Sequence, residues 1–449
     1  MRSARRRGAI VPPEAITAPT GGPLRLDSRD PGFADAFSAL VDARREADAD
    51  VSRDVAAIVA DVRARGDAAL ADHTRRFDRH DLDVTGWQVP RAERRAALAG
   101  LAPDLRAALD LAATRIRAYH EAQRPADSDT VDAAGVRMGA RWRPVDAAGL
   151  YVPGGRASYP SSVLMNALPA KVAGVGRLAM VTPTPDGAVN PLVLAAAEIA
   201  GVDEVWRVGG AQAIAALAHG TGRIAPVDVI VGPGNAWVAE AKRQLYGVVG
   251  IDMVAGPSEI VVVADGGNDP EWIAADLLSQ AEHDPTSQSI LLTDSAALAD
   301  AVALAVERRL DTLATRDTAR ASWRANGAII LLGSLDEAAA LTDRLAPEHL
   351  ELAVADPEPL FARVRHAGSV FLGRHTPEAI GDYVGGPNHV LPTGRRARFA
   401  SGLSVLDFMK RTSFLALDPA SIARIGPAAV ALAEAEGLPA HAVSVAIRL

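Results

Sequence analysis

Val227-Asp228-Val229-Ile230-Val231-Gly232-Pro233-Gly234-Asn235 is a short, largely apolar run that breaks into glycine and proline and leads into a helical pattern over residues 236–246. A run of this length with β-branched residues, closed by Gly and Pro, reads as a buried strand and its turn. The same unit recurs along the chain. Residues 177–181, 204–208 and 259–263 read as further buried strands, with helical segments at 163–172, 191–199 and 213–219. The rhythm resumes after Asp284 with strands at 289–293, 327–332, 350–353 and 369–372. Strand-helix alternation implies right-handed crossovers and a mostly parallel sheet. The expected fold is therefore α/β: two doubly wound, Rossmann-like parallel-sheet domains with small N- and C-terminal elements.

The expected boundaries are an N-terminal arm over 1–32, a discontinuous first α/β domain over 33–150 plus 259–394, a second over 151–258, and a C-terminal element over 395–449. Within the first, residues 33–120 carry a helical pattern, with Val55, Ile58, Val59 and Val62 on one apolar stripe. Val136-Arg137-Met138-Gly139-Ala140-Arg141-Trp142 alternates as a strand does.

The 449 residues are 49% hydrophobic and 23% charged, the profile of a globular chain with large buried cores. A net charge of -8 gives no reason to expect nucleic acid as a partner. No apolar run reaches the ~18 residues needed to span a bilayer. Met1-Arg2-Ser3-Ala4-Arg5-Arg6-Arg7 is basic, but no apolar signal-peptide core follows it, so a cytoplasmic location without a membrane partner is expected. There is no cysteine. That confines any zinc site to His, Asp, Glu or amide ligands, and it excludes every mechanism built on a thiolate nucleophile.

In open parallel sheets ligands sit at the carboxyl ends of strands, which directs attention to the turns. Four are glycine-rich: Tyr151-Val152-Pro153-Gly154-Gly155, Val208-Gly209-Gly210-Ala211-Gln212, Val231-Gly232-Pro233-Gly234-Asn235 and Ala255-Gly256-Pro257-Ser258-Glu259. Glycines there let backbone amides approach a phosphate, and equally they make tight turns. Gln212 and Asn235 add amides and Tyr151 a stacking face. No G-x-G-x-x-G or G-x-x-x-x-G-K-[ST] is present, so a standard nucleotide fingerprint is absent.

Four further places carry chemistry-bearing residues. Gln280 and His283 lie three apart at the end of a helix opened by Asn268-Asp269-Pro270, a spacing that fits half a metal site or a solvated helix end. Glu348-His349 sets a carboxylate beside an imidazole just before an apolar strand, which fits an acid–base pair or a surface loop. Ile380-Gly381-Asp382-Tyr383-Val384-Gly385-Gly386-Pro387-Asn388-His389 reads as an ordered binding loop. Near the C-terminus, Glu436 and His441 flank a Gly-Leu-Pro turn.

In their joint order these stretches resemble the histidinol dehydrogenase family. The resemblance covers nearly the whole chain from about Arg25, carried by residues 149–162, 208–217, 231–244, 252–261, 276–284, 346–352, 381–393 and 434–445. It implies NAD-dependent, four-electron oxidation of L-histidinol to L-histidine through the aldehyde, the last steps of histidine biosynthesis. It further implies one zinc per subunit held by Gln280, His283, Asp382 and His441, and Glu348 and His349 as the catalytic pair. Ser258, Gln280, His283, His349, Asp382, Glu436 and His441 match the family's substrate-contacting positions, and Tyr151, Gln212 and Asn235 its NAD-contacting ones. The family is a homodimer whose C-terminal tail completes the partner's active site. The missing thiol agrees independently with an aldehyde oxidised as its hydrate. Two other readings stay open at this point: a related dehydrogenase of another small alcohol, such as a sulfonated diol, and a non-catalytic metal- or nucleotide-binding protein.

Overall fold

A computed structural model describes residues 22–43, 49–154, 159–254 and 256–449. The basic N-terminal stretch, Gly155 and Ala255 lie outside those residues. In chain order the strands are β1 (Leu24–Asp27), β2 (Ser128–Val131), β3 (Arg137–Pro144), β4 (Ala147–Tyr151), β5 (Arg177–Val181), β6 (Glu204–Trp206), β7 (Val229–Val231), β8 (Gly250–Ile251), β9 (Glu259–Ala264), β10 (Gln288–Thr293), β11 (Ala328–Leu331), β12 (His349–Ala353), β13 (Ser369–Leu372) and β14 (Met409–Ala416). The chain forms two compact units, residues 1–49, 255–382 and 391–402 in one, and 50–254, 383–390 and 403–449 in the other.

The first unit is built on a six-stranded sheet in the order β1-β11-β10-β9-β12-β13, every pair parallel. Helices cover both faces, so β9, β10 and β12 are buried along their whole length. Ile260, Val262 and Ala264 pack with Leu277, Leu278 and Trp323 on one face. Val261 and Val263 pack with Leu341 and Leu345 on the other. Each fully buried aliphatic side chain contributes about 1.5–3 kcal/mol, which holds the strand ends in fixed register for whatever side chains project from them.

The second unit carries a five-stranded parallel sheet, β6-β5-β4-β7-β8, with helices Pro160–Ala173, Pro191–Ala200, Gly210–His219 and Ala236–Leu245 between its strands. A small antiparallel sheet, β14-β3-β2, belongs to the same unit. The doubly wound α/β expectation is met in both.

The expected domain boundaries differ from these units in three places. Residues 22–32 are not all arm: Leu24 and Leu26 of β1 pack on the first core, and β1 pairs with β11. A four-residue strand is too short to announce itself by period. The helical region 50–150 belongs to the second unit, because Val55, Ile58 and Val62 share a core with Trp206, Ile214 and Leu217. Finally, residues 395–449 are not a separate element. Residues up to 402 join the first unit, and β14 pairs along β3 in the second. Among the described residues no helix is long and apolar enough to cross a membrane.

Candidate active site

In the first unit the polar residues gather where β9 and β12 begin. Helix Pro270–Ala281 is opened by the Asp269 side chain, which accepts from the Glu271 N–H, and by Pro270 at its first position. It runs back from the far end of β9, so its last turn returns to the strand's start and brings Gln280 there, 1% exposed. Gln280 Oε1 lies 2.9 Å from Nδ1 of His349, the first residue of β12. An amide oxygen only accepts, so Nδ1 carries the hydrogen and Nε2 is the ring's basic nitrogen. The His349 ring leans on Phe371 of β13, centroids 6.1 Å apart.

Three carboxylates surround this imidazole. Glu348 Oε2 stands 4.0 Å from Nδ1 and accepts from the Glu259 N–H at 3.0 Å. Glu378 Oε1 stands 3.6 Å from Nε2. Glu378 and Asp382 lie one turn apart on helix Glu378–Tyr383 and hydrogen-bond to each other. Donor atoms of His349, Glu378 and Asp382 all lie within 4.8 Å of one another.

Burial dominates the electrostatics. It holds the Glu348 carboxyl well above the ordinary carboxylate range, opposed by the Glu259 N–H and reinforced by the charges of Glu259, Asp382 and Glu378. Glu378 is pushed up to about 8, by burial first and by Asp382 second. Behind them Asp276 and Glu351 share a hydrogen bond, and burial raises the first to about 6 and the second to about 9.

This donor set fits a divalent cation. Buried carboxyls kept from ionising by one another are relieved by a positive charge, and imidazole, carboxylate and amide oxygen suit zinc. Gln280 Nε2 is buried without a hydrogen-bond partner, and its Oε1 keeps a second lone pair beyond the bond to His349.

The second unit offers a different surface. Val231 ends β7, and Gly232 has φ +115°, where an added Cβ would lie 2.1 Å from the Tyr151 carbonyl oxygen. Only glycine fits that approach. Lys242, itself buried, donates to the Gly232 carbonyl at 3.0 Å and pairs with Asp252, whose other oxygen accepts from the Gly232 N–H at 2.8 Å. Asn235 caps the next helix, its Oδ1 accepting from the N–H groups of Trp237 and Val238. Tyr151 ends β4 with its ring 4% exposed in the core and its hydroxyl accepting from the Gly210 N–H. The ring that the sequence offered as a stacking face is buried in this structure. Gln212, 2% exposed, lies on helix Gly210–His219.

Residues 41–449 match the histidinol dehydrogenase family. A histidinol dehydrogenase of Zymomonas mobilis is 70% identical over 95% of this chain and 99% of its own. That of Ruegeria pomeroyi is 64% identical over 95% and 99%. The crystal structure of histidinol dehydrogenase from Elizabethkingia anophelis superposes with a TM-score of 0.90 at 36% identity, covering 95% of this chain and 98% of that one. The chain belongs to the histidinol dehydrogenase family. It is therefore an oxidoreductase, and histidine biosynthesis is the role that goes with the family name.

Of the residues expected to serve a histidinol dehydrogenase, the first unit brings Gln280, Glu348, His349 and Asp382 together. Glu348 and His349, 6% and 3% exposed, are not a surface loop. Ser258 is half-buried immediately before β9. His283 is exposed, two residues beyond the helix end, on a turn that its N–H closes to the Gln280 carbonyl at 3.3 Å. Glu436 caps helix Pro419–Ala435 and His441 lies on helix Pro439–Ala446, both exposed in the second unit. The fourth glycine-rich turn, expected after a strand, precedes β9 instead. Sequence reasoning passed over Glu378, Asp276 and Glu351. Glu351 had a readable signal, a carboxylate two residues after His349 inside an otherwise apolar strand.

Proposed function

We propose that this chain oxidises L-histidinol to L-histidine by way of the aldehyde, reducing two NAD per product, with one zinc per subunit. His349 removes the hydroxyl proton at Nε2, the nitrogen that its Nδ1 bond to Gln280 leaves basic. The aldehyde has no cysteine to add to it, so it must be oxidised as its hydrate. Glu348 is the group beside His349 to take the proton of the attacking water. Its raised proton affinity makes it a stronger base once ionised, and positive charge nearby increases the ionised fraction. His349 gives its proton to the aldehyde oxygen as the water adds, and then deprotonates the resulting diol before the second oxidation.

Gln280, His283, Asp382 and the partner subunit's copy of His441 would hold the zinc, whose net positive charge would orient the substrate through its amine and imidazole nitrogens. Glu436 would pair with a polar group of the same substrate. The Tyr151, Gln212 and Asn235 loops would hold NAD, the hydride acceptor in both oxidations. A homodimer in the cytoplasm is part of the same reading.

The observation that carries it is the buried Glu348–His349 pair set against Gln280 and Asp382 in a member of this family. The test is NADH formation from L-histidinol, followed with and without zinc after chelation. Activity that needs the metal is expected; turnover by zinc-free protein contradicts the role given to zinc. For the shared site, mixing His441→Ala subunits with His349→Asn subunits is expected to restore part of the activity, and no recovery argues against tail exchange.

A further inference from the structure

Glu378 is 2% exposed and belongs neither to the acid–base pair nor to the four zinc ligands of the proposed function. Its surroundings are specific. Oε1 stands 3.6 Å from Nε2 of His349, the proton-accepting nitrogen. Oε2 accepts from the Ser279 hydroxyl at 3.4 Å, the residue next to Gln280. The carboxyl group also hydrogen-bonds Asp382. That hydrogen bond keeps one oxygen of Asp382 occupied while the other stays available. The helix that carries both is seated by Gly381, where an added Cβ would lie 2.6 Å from the ring of Phe371, the same ring that backs His349.

We propose that Glu378 is a positioning residue: its carboxyl group ties Asp382 and stands against Nε2 of His349, registering the metal-ligand carboxylate and the general base against each other. When Nε2 takes a proton, the imidazolium N–H points to the Glu378 oxygen, which favours the orientation needed for the next transfer. Partners of this kind, one bond removed from a ligand, are worth 10–100-fold in metal affinity or rate. The proposal rests on the roles given above to His349 and Asp382.

The test compares Glu378→Leu, which keeps the volume and removes the hydrogen bonds, with Glu378→Gln, which keeps an N–H for Asp382. Zinc affinity is read by titration against a competing chelator, and kcat and KM with L-histidinol. Glu378→Leu is expected to remain folded, bind zinc about 10–100-fold more weakly and lose kcat by a similar factor, with KM changed far less. Glu378→Gln is expected to recover zinc affinity to within about threefold of wild type. A leucine variant with wild-type zinc affinity and kcat, or a glutamine variant as impaired as leucine, overturns the proposal. Wild-type protein that turns over no histidinol contradicts the functional reading alone, because the zinc titration still reads Glu378.

Discussion

The two parallel sheets use opposite ends. In the first unit the side chains converge at the amino ends of β9 and β12, beside the last turn of helix Pro270–Ala281. In the second, the candidate loops follow the carboxyl ends of β4, β6 and β7, at the first turns of helices Gly210–His219 and Ala236–Leu245. A helix ends in free carbonyls and a partial negative charge, and begins in free N–H groups and a partial positive one. The first environment, with carboxylates added, attracts a cation. The second, held open by Gly232, has the polarity that suits a phosphate. In the proposed reading one architecture serves a metal at one end of its helices and a nucleotide at the other.

The comparison breaks first at His349. His349→Asn is expected to lower kcat by about 10²–10⁴-fold while zinc content and NAD binding stay as in wild type; loss of zinc would place His349 among the ligands instead. Next comes the buried acid pair of Asp276 and Glu351. Glu351 and Asp276 hold their protons more tightly folded than unfolded. As pH rises the unfolded chain ionises first, so stability falls from about pH 4.5 and levels off above about 9, by ~1.4 kcal/mol per pKa unit of difference. Thermal melts of chelator-stripped protein should show Tm falling over that window, and Glu351→Gln should flatten the curve.

On the second unit, Gly232→Ala is expected to cost more than the ~1–3 kcal/mol of backbone strain alone, because the Tyr151 carbonyl must also shift, and to raise KM for NAD without lowering kcat comparably. A rise in KM for histidinol alone would take the loop away from the nucleotide. Smallest is Asn235→Ala, which removes a helix cap worth ~1 kcal/mol and is expected to shift Tm slightly and KM for NAD modestly.

Much of this was legible in the sequence. Most strands of both sheets and the Asp269-Pro270 helix start follow from apolar runs and cap chemistry, which are local, whereas β1, β4 and β8 did not stand out. Unit membership was not legible: the stripe of Val55, Ile58 and Val62 needs a partner, and only folding shows that Trp206 and Leu217 supply it. The site was half legible. Glu348-His349 and Gln280 stood out as pairs, whereas Asp382 entered the ligand set through family resemblance. Glu378 was invisible because the six-residue helix Glu378–Tyr383 has glycine inside it and reads as loop. Its meaning lies in contacts with β12, from which it is separated by another strand in the chain.

The most direct measurement is the stoichiometry of NADH formed per L-histidinol consumed, for wild type and for Glu348→Gln. Wild type is expected to give two NADH with L-histidine as product, and Glu348→Gln to retain the first oxidation while failing to convert the aldehyde. A wild-type ratio of one, or a Glu348→Gln enzyme that still yields two at the wild-type rate, would contradict the assignment of the buried acid–base pair to a four-electron oxidation.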